Sequence, residues 1–329
     1  MPNPLAVAMG DPAGVGPEII AKAWEARAAN ALPPFFAVGD CNAIAAVWHG
    51  PLRAVADPDE AATCFDAALP VIRAGGSQTV QPGVPDLDGA RNALDALELA
   101  VGLARSGAAA ALVTGPVSKS QLYTIGFSHP GQTEFVAERC GVSRDMVAMM
   151  LLGPSLRTIP VTTHIPIQGV SDALSVDRIV AKGRVTARGL QRQFGIDAPR
   201  IVVAGLNPHA GEEGMIGREE IEIIAPAIER LREEGYDFSG PFAADTLFHS
   251  ERRARYDAAL CMYHDQALIP LKTLHFDEGV NMTLGLPIVR TSPDHGTAFA
   301  IAGQDRAHPG AMIAALKTAA DCARRFSNA

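Results

Sequence analysis

Short apolar runs alternate with longer stretches of helical periodicity along almost the whole chain. That alternation predicts an α/β fold, in which strands are buried by the helices between them. LAVAM (5–9) reads as a strand, and GDPAGVGPEII then turns into a helix. Pro17 falls near its first turn, where a missing N–H costs little, and Glu18 sits by the positive end of the helix dipole. PFFAVGD (34–40) is a second strand and turn. Over 88–106, Ala90, Leu94, Leu97, Val101 and Ala104 share one face, which predicts a long amphipathic helix. AAALVTG (109–115) follows as a buried strand, and MVAMMLLG and LRTIPVTTH, separated by Pro154 and Ser155, read as a hairpin. Helices are expected over 176–194 and 217–234, on either side of the strand RIVVAGL (200–206). AALCMY (258–263) and LPIVRT (286–291) are late strands, and 309–325 forms a closing helix. The stretch AGGSQTVQPGVPDL (74–87) is a surface loop rather than a linker, because regular structure resumes directly after it.

Composition narrows the class. The 329 residues leave room for about two domains. Hydrophobic residues make up 48% and charged residues 19%, enough to bury large cores. A net charge of −8 argues against a nucleic-acid groove or an anionic membrane surface. No apolar run is long enough to span a bilayer, and the N-terminus lacks the charged and apolar regions of a signal peptide. Cys41, Cys64, Cys140, Cys261 and Cys322 are odd in number and scattered, which fits free thiols in a reducing cytoplasm.

Three histidines carry the strongest chemical signal. His164 in RTIPVTTHIP, His209 in RIVVAGLNPHAGEEG and His264 in DAALCMYHDQALIP each follow an apolar run. In open α/β sheets, ligands bind outside the carboxyl ends of strands. Three neutral imidazoles with an open fourth position would describe a catalytic metal site. Their wide separation obeys no local metal-spacing rule, so satisfied loop histidines remain the alternative on spacing alone. The other histidines (His49, His129, His249, His275, His308), with Glu212 and Glu213, read as loop or surface groups.

GDPAGVGPE places Gly10, Gly14 and Gly16 at a strand-to-helix turn, where missing side chains permit close approach. It is neither a dinucleotide-binding GxGxxG nor a Walker A loop. With SPDHGTAFAIAG near the other end, it resembles the opening and late segments of isocitrate and isopropylmalate dehydrogenases. The middle of the chain is more specific. TGPVSK (114–119), GQTEF (131–135), TTH (162–164), LNPHAGEEG (206–214), FAADTLF (242–248), MYHDQ (262–266), LK (271–272) and VNMTLGLPIVRTSPDHGTA (280–298) fall in order. The chain resembles the 4-hydroxythreonine-4-phosphate dehydrogenase family from about residue 5 to residue 320.

The resemblance implies a two-domain isopropylmalate dehydrogenase-like α/β fold with an active-site cleft between domains. Residues 1–130 plus about 275–329 would form the cofactor-side domain, and about 131–274 the second. It implies NAD- or NADP-linked oxidation and decarboxylation of 4-phosphooxy-L-threonine to 3-amino-2-oxopropyl phosphate, in pyridoxal phosphate biosynthesis. The carried-over metal ligands are His164, His209 and His264, with His264 serving the partner's site in a homodimer. All-histidine ligation suits zinc, with cobalt or magnesium as other occupants. Substrate contacts fall on Gln132, Thr133, Lys272, Asn281 and Arg290, and cofactor contacts on Gly14, Gly16, His295, Gly296 and Thr297. Asp245, Asp265 and Lys272 are candidates for catalytic or imidazole-orienting work, and Asp265 could instead be a helix N-cap. Where the family has His in GHTEF, this chain has Gln132, which hydrogen-bonds but cannot titrate. The competing expectations are a dehydrogenase of a related acid such as 4-phosphoerythronate, and a non-catalytic protein that binds a phosphorylated metabolite.

Overall fold

The computed structural model describes residues 3–76 and 79–326. They form two compact units: one from the residues up to Gly141 together with those from Pro287, the other Val142–Leu286. The strands in chain order are β1 (Leu5–Ala8), β2 (Phe35–Gly39), β3 (Leu52–Val55), β4 (Leu69–Arg73), β5 (Leu112–Thr114), β6 (Ala148–Gly153), β7 (Leu156–Pro160), β8 (Ile201–Ala204), β9 (Phe238–Phe242), β10 (Ala258–Cys261), β11 (Val280–Leu284) and β12 (Arg290–Pro293).

In the first unit the strands run β3-β4-β2-β1-β5-β12, every neighbouring pair parallel. A parallel sheet must be covered on both faces, so its strands are apolar along their length. β1, β2, β5 and β12 are buried at every position. The helix Leu87–Arg105 packs through Ala93, Ala96, Leu97 and Ala100, with the predicted Leu94 at the margin of its buried face. Alanines let its backbone lie close to the sheet. The side chain of Asp86 accepts from the Gly89 N–H and starts the helix.

In the second unit the order is β11-β6-β7-β10-β8-β9. The expected hairpin is present: β6 and β7 pair antiparallel around Pro154 and Ser155, and β11 pairs antiparallel with β6. β7, β10, β8 and β9 are parallel. The helix Val176–Phe194 has the expected bounds, because Ser175 caps its start and Gly195, at φ +66°, ends it in a left-handed turn.

Three expectations require correction. The helix expected over 217–234 is a π-helical turn, Glu220–Ile224, followed by an α-helix, Ala225–Glu233. Pro226 has no N–H to donate, and Glu220 turns its carboxylate inward. The strand expected over 286–291 is Arg290–Pro293, since Pro287 cannot join a ladder. The domain breaks fall later than residues 131 and 275. The helix Gln132–Arg139 stays with the first unit, where Arg139 pairs with Glu98 and Phe135 packs on Phe127. β11 stays with the second through its ladder with β6.

Candidate active site

The three histidines leave the same edge of three adjacent strands. β7, β10 and β8 are neighbours in that order, and His164, His209 and His264 follow β7, β8 and β10 respectively. Two side chains tie these exits together. Thr162 Oγ1 donates to the Met262 carbonyl (2.8 Å), joining the segments that lead to His164 and His264. The buried Gln266 accepts from Met262 N–H (2.7 Å) and donates to the Gly205 carbonyl (2.7 Å), joining the segments that lead to His264 and His209.

The rings of His164 and His264 are neighbours, with centroids 5.5 Å apart and planes tilted by 45°. His264 Nδ1–H donates to Asp265 Oδ1 (2.7 Å), and His209 Nδ1–H donates to Glu212. A carboxylate that accepts a hydrogen bond from Nδ1–H keeps the proton there and leaves Nε2 as the lone-pair nitrogen of a neutral ring, the arrangement characteristic of metal-binding histidines. The hydrogen bond that His209 donates to Glu212, together with the charge of Glu212 and behind it that of Asp245, holds the His209 pKa above its ordinary value. Among the described residues, no three His, Cys, Asp or Glu side chains form a complete metal-holding group. Asp265 is not a helix N-cap: Tyr263 caps the helix His264–Leu274, and Asp265 lies within its first turn.

His209 opens a run of left-handed residues. His209, Ala210, Gly211, Glu212 and Glu213 have φ between +41° and +80°. Left-handed backbone crowds a Cβ against the next carbonyl, so a run of such residues is rare. This turn brings Glu212 back onto His209, so that a glutamate exposed as expected for a loop charge also holds the imidazole. Glu220, 4% exposed, underpins the turn by accepting from Asn207 N–H (2.7 Å).

Elsewhere in the second unit, Lys272 lies 5.4 Å from the ring centre of Phe276. Asn281, on β11, keeps a buried Oδ1 without a hydrogen-bond partner among the described residues. Asp245 is exposed in a short turn, Ala244–Thr246.

The first unit gathers a different set. Arg290 stands at the start of β12 and is 4% exposed. Its Nη2 donates to Thr114 Oγ1 (2.7 Å) and its Nη1 to Thr133 Oγ1 (3.5 Å). Burial pushes its pKa down to about 10, opposed by the charge of Glu134, so it stays cationic at neutral pH. Thr133 is in the first turn of the helix Gln132–Arg139, which Gly131 begins without a side-chain cap. The first amides of that helix, an arginine and two hydroxyls are together the equipment of an anion site. Gln132 Nε2 donates to the Gly115 carbonyl (3.1 Å), while its buried Oε1 has no partner among the described residues.

The two expected cofactor segments meet. Val15 N–H donates to the Thr297 carbonyl (3.0 Å), and a Cβ on Gly14 would come within 2.9 Å of that oxygen. Gly16 is fixed by internal packing, since its Cβ would lie 2.2 Å from the Met9 carbonyl. His295 and Gly296 are exposed beside this turn, and a side chain on Gly296 would meet nothing. Asp11, which no pattern in the sequence marks, is buried in the turn. Burial raises its pKa to about 6, against the Ala13 N–H that it accepts.

A family model, the pyridoxal phosphate biosynthetic protein PdxA, matches residues 32–319. The chain belongs to the PdxA family. A relative from Zymomonas mobilis, named 4-hydroxythreonine-4-phosphate dehydrogenase, is 57% identical, covering 98% of this chain and 96% of its own. The crystal structure of 4-hydroxythreonine-4-phosphate dehydrogenase from Klebsiella pneumoniae superimposes with a TM-score of 0.86 at 38% identity, over 98% and 99% of the two chains. A terephthalate 1,2-cis-dihydrodiol dehydrogenase from Burkholderia xenovorans is similar at a TM-score of 0.65 and 29% identity, over 97% and 98%. The PdxA match takes in every candidate metal and substrate residue, and the turn with Gly14 and Gly16 precedes it. No helix among the described residues is long and apolar enough to cross a membrane.

Proposed function

We propose that this chain oxidises the secondary hydroxyl of 4-hydroxythreonine 4-phosphate with NAD or NADP. Loss of CO2 from the resulting keto acid would give 3-amino-2-oxopropyl phosphate, for pyridoxal phosphate synthesis. The observation that carries the reading is Arg290: a buried guanidinium at a strand end, with Thr114 and Thr133 beside a helix N-terminus. A cation held there in low dielectric suits a dianion such as a phosphomonoester.

The other residues divide the remaining work. Gln132 Oε1 and Asn281 Oδ1 are buried acceptors, which suit substrate hydroxyl or ammonium donors. Lys272 adds a second positive charge for the anionic substrate. Asp265 and Glu212 orient His264 and His209 with Nε2 outward. His164, His209 and His264 would be the donors to a divalent ion of the zinc or cobalt kind, which imidazole nitrogens suit. Bound there, the ion would supply Lewis-acid stabilisation of negative charge on substrate oxygen. Asp245, exposed and near enough to act on His209, is the carboxylate assigned to proton transfer. The exposed His295–Thr297 segment, resting on the Gly14 turn, would hold the nicotinamide cofactor, whose chemistry is hydride acceptance.

A homodimer accompanies this reading. Ile167, Met215, Ile269 and Phe276 are among the large apolar side chains exposed in the second unit, and a second copy would cover them. If His264 serves the partner's site, mixed subunits of His164→Ala and His264→Ala regain activity; a site within one chain gives no recovery.

Purified protein with NAD+, a divalent ion and 4-hydroxythreonine 4-phosphate should produce NADH absorbance. Absence of that signal with either nicotinamide cofactor would sink the proposal. Gln132 favours a second reading, dehydrogenation of a related phosphorylated hydroxy acid such as 4-phosphoerythronate, and the same assay with that acid separates the two.

A further inference from the structure

We infer that Glu219 and Glu220, acting through Asn207, are positioning residues that set the His209 turn against the segment following His164. The inference rests on the metal reading above. Asn207 immediately precedes Pro208 and His209. Its backbone N–H donates to Glu220 Oε1 (2.7 Å), and its Nδ2 donates to both Glu220 Oε2 (2.9 Å) and Glu219 Oε2 (2.7 Å). Three N–H donors of one residue are thus held by two adjacent carboxylates. Glu219 Oε1 accepts from Ser171 Oγ (2.6 Å), and Ser171 lies in the short helix Val170–Ala173 that follows His164. The chain of contacts Ser171–Glu219–Asn207–Glu220 therefore links two histidine-bearing segments.

Five further observations show that the linkage is built rather than incidental. Glu220 is 4% exposed, and a buried carboxylate persists only where its oxygens are satisfied. Hydrogen bonds from Ser171 and then Asn207 hold Glu219 below its ordinary pKa, so it is charged at neutral pH. The packing around the pair requires glycine: a Cβ on Gly217 would lie 2.2 Å from Asn207 Nδ2, and one on Gly211 2.7 Å from Glu220 Oε2. Adjacent side chains on a regular helix diverge by about 100°. The π-helical turn that begins at Glu220 departs from that rule just where two neighbours converge on one asparagine, and π turns concentrate at functional sites. The turn they brace is the left-handed run from His209 to Glu213, a conformation that lasts only where its surroundings over-determine it.

The test uses the full-length protein with Co(II) alone as probe. Glu219→Gln turns a donor toward Asn207 or Ser171 and should weaken Co(II) binding by about 10–100-fold. It should also alter the visible Co(II) spectrum and speed hydrogen exchange of the amides in 205–214, while exchange in the strands of the first unit stays unchanged. Asn207→Asp sets three carboxylates together and should do the same. Combining Asn207→Asp with Glu219→Gln restores a donor between them and should recover part of the affinity. Ser171→Ala tests the link without touching the buried Glu220. Co(II) affinity within twofold of wild type and unchanged exchange at 205–214 in Glu219→Gln would overturn the inference. If the wild-type protein binds no Co(II), the metal reading fails, and exchange at 205–214 still decides whether these carboxylates position the turn.

Discussion

The two units meet the same demand, placing charge at strand ends, in opposite ways. The first holds its cation inside: Arg290 is buried against Thr114 and Thr133, and elsewhere in the unit the turn at Gly14 and Gly16 is packed to the limit of glycine. The second holds its imidazoles nearer the surface, His164 and His209 on left-handed backbone and His264 at the start of a helix, on segments braced by carboxylates and Gln266. Their surfaces differ likewise. Val84, Leu87 and Tyr123 are the large apolar side chains exposed in the described part of the first unit. The second exposes Met146, Ile165, Ile167, Met215, Ile216, Ile221, Ile269, Leu274 and Phe276. A buried charge is positioned by what surrounds it, whereas an exposed ligand needs a dedicated brace.

The contrast breaks most visibly at His209. His209→Ala should lose bound divalent ion and about 10³-fold or more in activity, since the ion contributes several kcal/mol of charge stabilisation. Its melting temperature should hardly move, because the ring is exposed. Metal analysis alongside turnover checks this, and retained metal with full activity would contradict the assignment. Arg290→Ala should cost about 10–100-fold in kcat/KM, the worth of one charge-assisted hydrogen bond of roughly 1.5–3 kcal/mol. The loss should shrink for a dephosphorylated substrate; equal losses for both would remove Arg290 from the phosphate site. Unlike His209→Ala, this variant should also lose stability, since it empties a buried position.

Asp11 sharpens the comparison through pH. Its folded pKa of about 6 lies above the ordinary 3.8, so the native state holds the proton more tightly than the unfolded chain. That contribution is fully present below about pH 4 and is lost as pH rises through about 6, by up to roughly 1–3 kcal/mol. Asp11→Asn removes the dependence, so its melting temperature should exceed wild type at pH 8 and converge with it near pH 4. A constant offset across that range would show that Asp11 does not titrate there. The smallest effect is expected at Gln132. Because Oε1 only accepts, Gln132→His should change KM by a few-fold and add a pH dependence near ~6.5. A switch of preferred substrate between 4-hydroxythreonine 4-phosphate and 4-phosphoerythronate would instead make this position the selector.

Much of the fold was legible because periodicity and caps are local. Ser175 and Gly195 bound their helix within the sequence itself, and Pro154–Ser155 announced a hairpin between two apolar runs. The histidines were legible as candidates because each ends an apolar run, and the resemblance grouped them. Their supports were not. A glutamate three residues after a histidine reads as a surface charge unless the backbone turns left-handed, and nothing in PHAGEEG beyond its glycines signals that. Glu219 and Glu220 likewise read as charges in a helix, since a π turn leaves no mark on apolar periodicity. The unit boundaries depended on pairings such as β11 with β6, between segments far apart in the chain.

The discontinuity of the first unit bears on the order in which the molecule can assemble. During synthesis, β5 is made long before β12, the neighbour that completes its side of the sheet. Val142–Leu286 supplies all the strands of the second unit before Arg290 exists, so that unit can close while β5 still presents an unpaired edge. An open parallel edge is a template for wrong partners. The first unit, the more self-contained in the finished protein, is therefore the one exposed for longer while it is being made.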